Sequence, residues 1–260
     1  MLLSIIEPFK MYKYLLMQLT LKEVKGRYKQ SIIGYAWILI NPLSQLLVLS
    51  FVFSIIFKFP TYNVPYPIFL FTGLLPWTYL QSSLNAGTLS LVDNSDLIRK
   101  VYFPREVFTY STIFAKTIDF LFSLILLFLF MTYFKIPLQS TSIFLLPIFI
   151  IQVILMTSLS LLFSALNLFY RDIQFLITLL LMLWMYLTPI IYPVSLVPKQ
   201  YLWVYKLNPM VGIIEGYRSA LFNLPFDISS ILWSLVFSVL LFILIFWLFK
   251  KWEKVFADIV

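Results

Sequence analysis

SSILWSLVFSVLLFILIFWLF, residues 229–249, decides the fold. These 21 residues carry no charge, and as a helix rising about 1.5 Å per residue they match the roughly 30 Å hydrocarbon core of a bilayer. Lipid offers no water to a backbone amide, so such a run spans as a helix whose hydrogen bonds close within the segment. Lys250, Lys251 and Lys254 follow at once and stop the run. By the positive-inside rule, that end faces the cytoplasm.

Working back along the chain, five more runs have the length and apolarity to cross, at about 32–57, 68–92, 107–133, 143–169 and 173–191. The sequence therefore predicts an all-α integral membrane protein of six transmembrane helices over 32–260, preceded by a segment 1–31 outside the bilayer. Composition agrees: 62% of residues are hydrophobic and 12% charged, against roughly 45–50% and 25% in soluble domains. Six spans and their loops use up the 260 residues, so a separate catalytic domain is not expected. Asn41-Pro42 should bend the first run and free a carbonyl one turn back. The second run is the weakest in hydropathy because Ser82, Ser83, Asn85, Gly87, Thr88 and Ser90 crowd its second half. Small and weakly polar residues in a span mark helix packing or a wet cavity.

The basic residues orient the array. Lys10, Lys13, Lys22, Lys25, Arg27, Lys29, Arg99, Lys100, Arg105, Arg171, Lys250, Lys251 and Lys254 fall on one side, 13 in all. Lys58, Lys135, Lys199, Lys206 and Arg218, five in all, fall on the other, and Lys116 lies within a run. Thirteen against five predicts an even number of spans with both termini cytoplasmic. The same placement accounts for the net charge of +8 without nucleic acid, since the cations sit at the ends of apolar runs.

The segments that do not span carry the rest of the reading. No secretory signal is expected at the N-terminus, because the apolar stretch 15–17 is short and no cleavage site follows. Lys22, Lys25 and Lys29 recur at helical spacing with Arg27 among them, and Leu15, Leu16 and Leu19 supply an apolar side, which predicts an amphipathic helix in the cytoplasmic interface, with a solvated basic leader as the alternative. Residues 93–106 form the most polar internal stretch, and Tyr170-Arg171-Asp172 is a tight hairpin. The segment 192–227 is too long for a turn and rich in Pro, Trp and Tyr, so two short helices or a re-entrant hairpin on the outer face are expected.

What is missing bounds the chemistry. With no Cys and no His, thiol nucleophiles, Ser-His-Asp catalysis and His-ligated metals are excluded, and no catalytic, cofactor or metal site is expected. None of the six glycines precedes a lysine, so no P-loop is present and any ATP must be used by another subunit. Asp119 sits one turn from Lys116 within the third run. A carboxylate at that depth costs about 2.5–3.5 kcal/mol on insertion scales, and an i,i+3 pair with the lysine reduces that cost. Aromatics make up 19% of the chain, and most suit interfacial belts. Tyr35, Trp37, Tyr110, Trp184 and Tyr186 lie within the runs. Their faces would stack on the C–H faces of sugars, making them candidate linings of a glycan path, with lipid contact or packing as the alternative at each. Glu215 and Arg218 are spaced to pair on one helix face, either as a surface pair or as part of a site.

Several blocks carry a family resemblance: Arg27-Tyr28-Lys29-Gln30-Ser31, Gly34-Tyr35-Ala36-Trp37, Asn41-Pro42-Leu43 and Val52-Phe53-Ser54, then Leu97-Ile98-Arg99-Lys100-Val101-Tyr102-Phe103-Pro104-Arg105-Glu106. Tyr170-Arg171-Asp172-Ile173, Pro189-Ile190-Ile191-Tyr192-Pro193, Asn208-Pro209-Met210 and Glu215-Gly216-Tyr217-Arg218 complete them. In this order the chain resembles the ABC-2 type permeases that export lipid-linked cell-surface polysaccharides, namely the O-antigen permeases and their capsule and teichoic acid relatives.

The resemblance implies a six-span half-transporter of the bacterial inner membrane that forms a homodimer around a channel. Two copies of a separate nucleotide-binding ABC ATPase would bind ATP and Mg and dock on it. Contacts to that ATPase would come from the N-terminal interface helix and from 93–103, with Asp93, Asp96, Arg99, Lys100 and Tyr102. Arg171 and Asp172 in the tight hairpin would add a further contact. The segment 192–227 would form outer gate helices carrying Tyr192, Trp203, Tyr205, Glu215 and Arg218. The implied substrate is a polyprenyl-diphosphate-linked glycan, O-antigen first, entering from the inner leaflet with its anionic head group drawn by the basic face. An ABC-2 permease for a small lipid or drug is the nearer alternative. A membrane-embedded lipid-processing enzyme is the more remote one, disfavoured by the absence of His and of paired intramembrane carboxylates.

Overall fold

The computed structural model describes residues 12–28, 32–57, 59, 61–62, 64–100 and 103–256, and all regular structure among them is helical. Lys29 and Tyr102 lie outside the described residues, as does the side chain of Arg27. Ten α-helices follow in order: α1 (Lys13–Tyr28), α2 (Trp37–Phe51), α3 (Tyr66–Leu89), α4 (Ser95–Lys100), α5 (Glu106–Tyr133), α6 (Leu145–Phe169), α7 (Ile173–Tyr186), α8 (Leu202–Tyr205), α9 (Pro209–Phe222) and α10 (Ile228–Trp252). A 3₁₀ turn leads into α2, another leads into α6, and a π-helical turn, Val52–Phe57, extends α2.

Among the described residues, four helical stretches are long and apolar enough to cross a membrane: Gly34–Ser54, Glu106–Tyr133, Ser140–Phe169 and Ile228–Trp252. The chain is thus a multi-pass membrane protein. The other two expected spans are helices of a different kind. α3 has 24 residues but the most mixed composition of the long helices. It lies at the centre, packed by α2, α5, α6, α7 and α9, with Phe69, Phe71, Leu74, Trp77 and Leu80 all wholly buried. A helix shielded from lipid on all sides has no need of an apolar exterior, so Gly87 and Ser83 serve packing: a Cβ on Gly87 would lie 2.7 Å from that of Ser160 in α6.

α7 is apolar but has only 14 residues, about 21 Å of helix. It stops at Tyr186, short of the expected 191, because Pro189 lacks an N–H and disfavours helix at the residue before it. Thr188 Oγ1 then closes the end on the carbonyl of Trp184 (2.7 Å). Pro42 and Pro76 lie inside α2 and α3, each removing one intrahelical bond.

α9 runs back against α10 as an antiparallel pair. Asn208 caps its start by accepting from the Met210 amide (3.0 Å), and Asn223 ends it in the left-handed conformation. Gly212 permits the close approach, since a Cβ there would collide with the Ser230 carbonyl. α9 is buried along nearly its whole length and also packs on α3 and α6. The segment 192–227 therefore contains two short α-helices, of which α9 packs within the bundle while α8 has no buried residue.

Candidate functional site: two polar ends of the bundle

One end of the bundle gathers α1, α4 and the termini of α5 and α10. α1 lies along α5, with Leu19 buried and Leu15 and Leu16 packed beside Phe103, Val107 and Phe108. Its Lys22 donates to Asn94 Oδ1 (2.9 Å), and Asn94 donates in turn to the Ser90 carbonyl (2.8 Å). The helix thus holds the start of the 93–103 segment by a charge-assisted bond. Asp93, Asp96, Arg99 and Lys100 are exposed there, while Ile98 is buried as the anchor. Partial desolvation keeps the Asp93 pKa above its ordinary value, outweighing the opposing charges of Lys22 and Arg171. Arg171 and Asp172 are exposed, so the hairpin contributes to the same charged surface. Lys25 is exposed on α1.

Beneath this surface lies a network that the sequence did not single out. Glu106 is fully buried and pairs with Lys250 (2.6 Å), which also pairs with Glu253 (3.0 Å). Glu253 accepts from the Arg105 amide (2.7 Å), and Arg105 donates to the carbonyls of Phe103 (3.0 Å) and Ile98 (3.5 Å). The end of α4 is therefore tied through Arg105 to the start of α5 and the end of α10. Lys250 read in sequence as a stop charge, and nothing in its spacing from Glu106 announces the pair.

At the opposite end, Arg218 and Glu215 form a pair at 2.7 Å that is not a surface pair: the Arg218 side chain is 0% exposed and that of Glu215 19%. Arg218 also donates to the Ile190 carbonyl (2.8 Å) and places its guanidinium 3.7 Å from the Phe69 ring centroid. A Cβ on Gly73 would come within 2.9 Å of that guanidinium, which explains the glycine. One side chain thus joins α9, α3 and the chain after α7. Tyr205 donates to Tyr192 (3.2 Å), and Tyr192 to the Tyr186 carbonyl (2.9 Å). Burial, followed by the Tyr192 bond, raises the Tyr205 pKa. Trp203 is exposed at 70%.

The five aromatics expected to line a path are not gathered in one place. Tyr110 is buried against α6 and α10, beside Thr157 and Phe242. Trp184 is half-buried, edge-on to Trp77 and bonded to Asn208 Oδ1 (2.9 Å). Tyr186, Tyr35 and Trp37 are exposed at 60%, 53% and 38%. Trp37 borders a cleft of about 140 Å³ between α2, α3 and α5 that also holds Lys116 and Asp119.

The chain combines a helical membrane core and a charged end with a sequence that has no nucleotide-binding loop. The family model for ABC-2 type transporters matches residues 14–222, and the chain belongs to that family. Such permeases lack an ATPase domain of their own, which implies a partner ATPase. The chain is 33% identical to an O-antigen export system permease protein RfbA of Klebsiella pneumoniae, over 94% of each chain. It is 31% identical to RfbA of Myxococcus xanthus over 85% of each. The polysialic acid transport protein KpsM of Escherichia coli is 28% identical over 82% of this chain and 83% of its own.

Proposed function

We propose that this chain is the permease of an O-antigen exporter, moving a polyprenyl-diphosphate-linked polysaccharide across the bacterial inner membrane. The observation that carries this reading is the near full-length similarity to O-antigen export permeases at 33% identity. Six spans are proposed, with α3 crossing inside a shield of other helices and the short α7 crossing at its edge with most of its apolar side chains exposed. Both termini are cytoplasmic, which puts the 93–103 segment, the 170–172 hairpin and the Lys250 cluster on the side where ATP is found. Two such chains pair around a channel, with the exposed apolar faces of α2 and α7 available to a second copy.

In this scheme the partner ATPase binds ATP and Mg and closes against Asp93, Asp96, Arg99, Lys100, Tyr102, Arg171 and Asp172. Because Arg105 links α4 to α5 and α10, a push on α4 is passed to two long helices at once. α1 serves as the interface helix with Lys22, Lys25, Arg27 and Lys29. Besides the stripe packed on α5 it carries a second apolar stripe, Tyr14, Met17, Leu21 and Val24, of which the first three are exposed, suited to a membrane surface. Arg218, Glu215, Tyr192, Tyr205 and Trp203 belong to the outer gate, and Tyr35, Trp37, Tyr110, Trp184 and Tyr186 remain the candidate aromatic lining. The weaker similarity to a polysialic acid transporter favours a capsule-type polysaccharide as the second reading.

The test is complementation. A strain lacking its own O-antigen permease, given this chain with its ATPase, should regain a surface O-antigen ladder. A capsule-export mutant regaining capsule instead would select the second reading, and restoration of neither would reject both.

A further inference from the structure

We propose that Asn167 is a positioning residue that couples the 170–172 hairpin to α3, so that a push on the hairpin reaches the outer gate through α3. This rests on the export reading above and names one joint within it. Asn167 lies in the last turn of α6 and is wholly buried. Its amide nitrogen donates to the Thr88 carbonyl (3.2 Å), and its amide oxygen accepts from the Gln174 backbone amide (3.2 Å). Both partners are helix-end groups, since Thr88 is the last residue but one of α3 and Gln174 the second of α7. Carbonyls at the end of a helix and amides at its start find no partner within it. A carboxamide carries a donor and an acceptor on one rigid plane, so a single side chain serves both ends. The usual cap is not used: Asp172 stands at the N-cap position of α7 yet makes no capping bond, although Asp is among the residues preferred there. The start of α7 is held from α6 instead, and Arg171 and Asp172 stay exposed. The hairpin is therefore fastened to the end of α3.

The same end of α3 collects the other cytoplasmic elements. Asn94 accepts from Lys22 of α1 and donates to the Ser90 carbonyl, and the Ser90 and Thr109 hydroxyls bond at 3.1 Å, which brings in α5. At its other end α3 meets the outer segment at three levels. Tyr66 donates to the Ile191 carbonyl (2.9 Å), and Phe69 lies under the Arg218 guanidinium. Gln152 donates to the Pro76 carbonyl (2.7 Å) and accepts from Tyr217 of α9 (2.9 Å). From Thr88 to Gly73, which sits beside Arg218, is about 22 Å of helix. α3 is buried along that whole path, and a close-packed interior of low compressibility passes a displacement on. A shift of the hairpin under the ATPase thus moves α3 through Asn167, and α3 carries it to Arg218 and α9.

The test uses the full-length permease with its ATPase in proteoliposomes. The chain has no cysteine, so Gln200→Cys, exposed on the outer segment, takes a single dye before the ATPase is added. Trapping the ATPase with vanadate should shift the dye emission when Asn167 is present. Asn167→Leu removes both bonds, and Asn167→Asp keeps the acceptor for Gln174 while losing the amide donor to Thr88. Each should cut the dye shift and the glycan exported per ATP by about tenfold, within the usual range of a coupling between sites. Leu155→Ala opens a cavity in the same helix, where Leu155 is wholly buried. It should lower the melting temperature and leave export per ATP as in the wild type. Four results would each overturn the proposal: no dye shift with Asn167 present, wild-type coupling in both Asn167 variants, failure of both to assemble, or equal uncoupling by Leu155→Ala. A dye shift in a permease that exports no O-antigen would reject the export reading and leave the Asn167 joint standing. Export with unchanged coupling in both variants would remove the joint alone.

Discussion

At the residue scale, Arg218 shows how much one side chain can hold. Its charge is wholly buried and is offset by Glu215, the Ile190 carbonyl and the Phe69 face. Breaking a buried pair by removing one partner leaves an uncompensated charge and costs about 3–5 kcal/mol. Glu215→Ala should fall at the lower end, since Glu215 keeps some solvent contact. Thermal unfolding of the purified protein in detergent should show Glu215→Ala losing more stability than the double variant Glu215→Ala with Arg218→Met. A single variant as stable as wild type would mean that the pair does not hold α9. The three-residue spacing of Glu215 and Arg218 made the pair legible in sequence. Its burial was not, because Phe69, Gly73 and Ile190 come from other elements.

At the scale of elements, the α9–α10 pair governs the fold of the 192–227 segment. Gly212→Ala would drive a methyl group into the Ser230 backbone. Overpacking of this kind costs about 1–3 kcal/mol, so the variant should unfold at lower temperature, while Gly26→Ala, with open space around it, should not. The start of α10 carries a pH dependence. Burial disfavours the Asp227 charge, but hydrogen bonds from Lys206 (2.6 Å), Ser229 and Ser230 (2.7 Å) outweigh it and hold the carboxyl well below its ordinary 3.8. A depressed folded pKa gives stability that is present above the unfolded value and lost as pH falls below it. The melting temperature should therefore drop as pH is lowered below about 4, and Asp227→Asn should flatten that acid limb. The sequence placed α5, α6 and α10 within a few residues, because a lipid-facing helix must be apolar for its whole crossing. It overextended the fifth run because hydropathy continues through Thr188-Pro189 although the backbone cannot.

For the whole molecule, the charged end predicts where force enters. Charge reversal at Asp96 and Arg99 together should leave the permease folded, since both side chains are exposed, and lower export per ATP hydrolysed by the reconstituted complex. Unchanged assembly, export and turnover would remove that segment from the transmission path. Fusions test the orientation: a fluorescent protein after residue 256 should fold in the cytoplasm, and alkaline phosphatase after residue 139 should be active outside. By itself the sequence determined the solvent, the helical class, the even-span charge bias, the missing nucleotide site and the family, because each depends on composition and local order that lipid and the positive-inside rule read directly. Tertiary structure alone decided that α3 is the shielded centre, that Lys250 answers Glu106 across 144 positions, and that Trp37 shares a cleft with Lys116 and Asp119. Those outcomes depend on which faces of distant helices meet, and no local pattern encodes that.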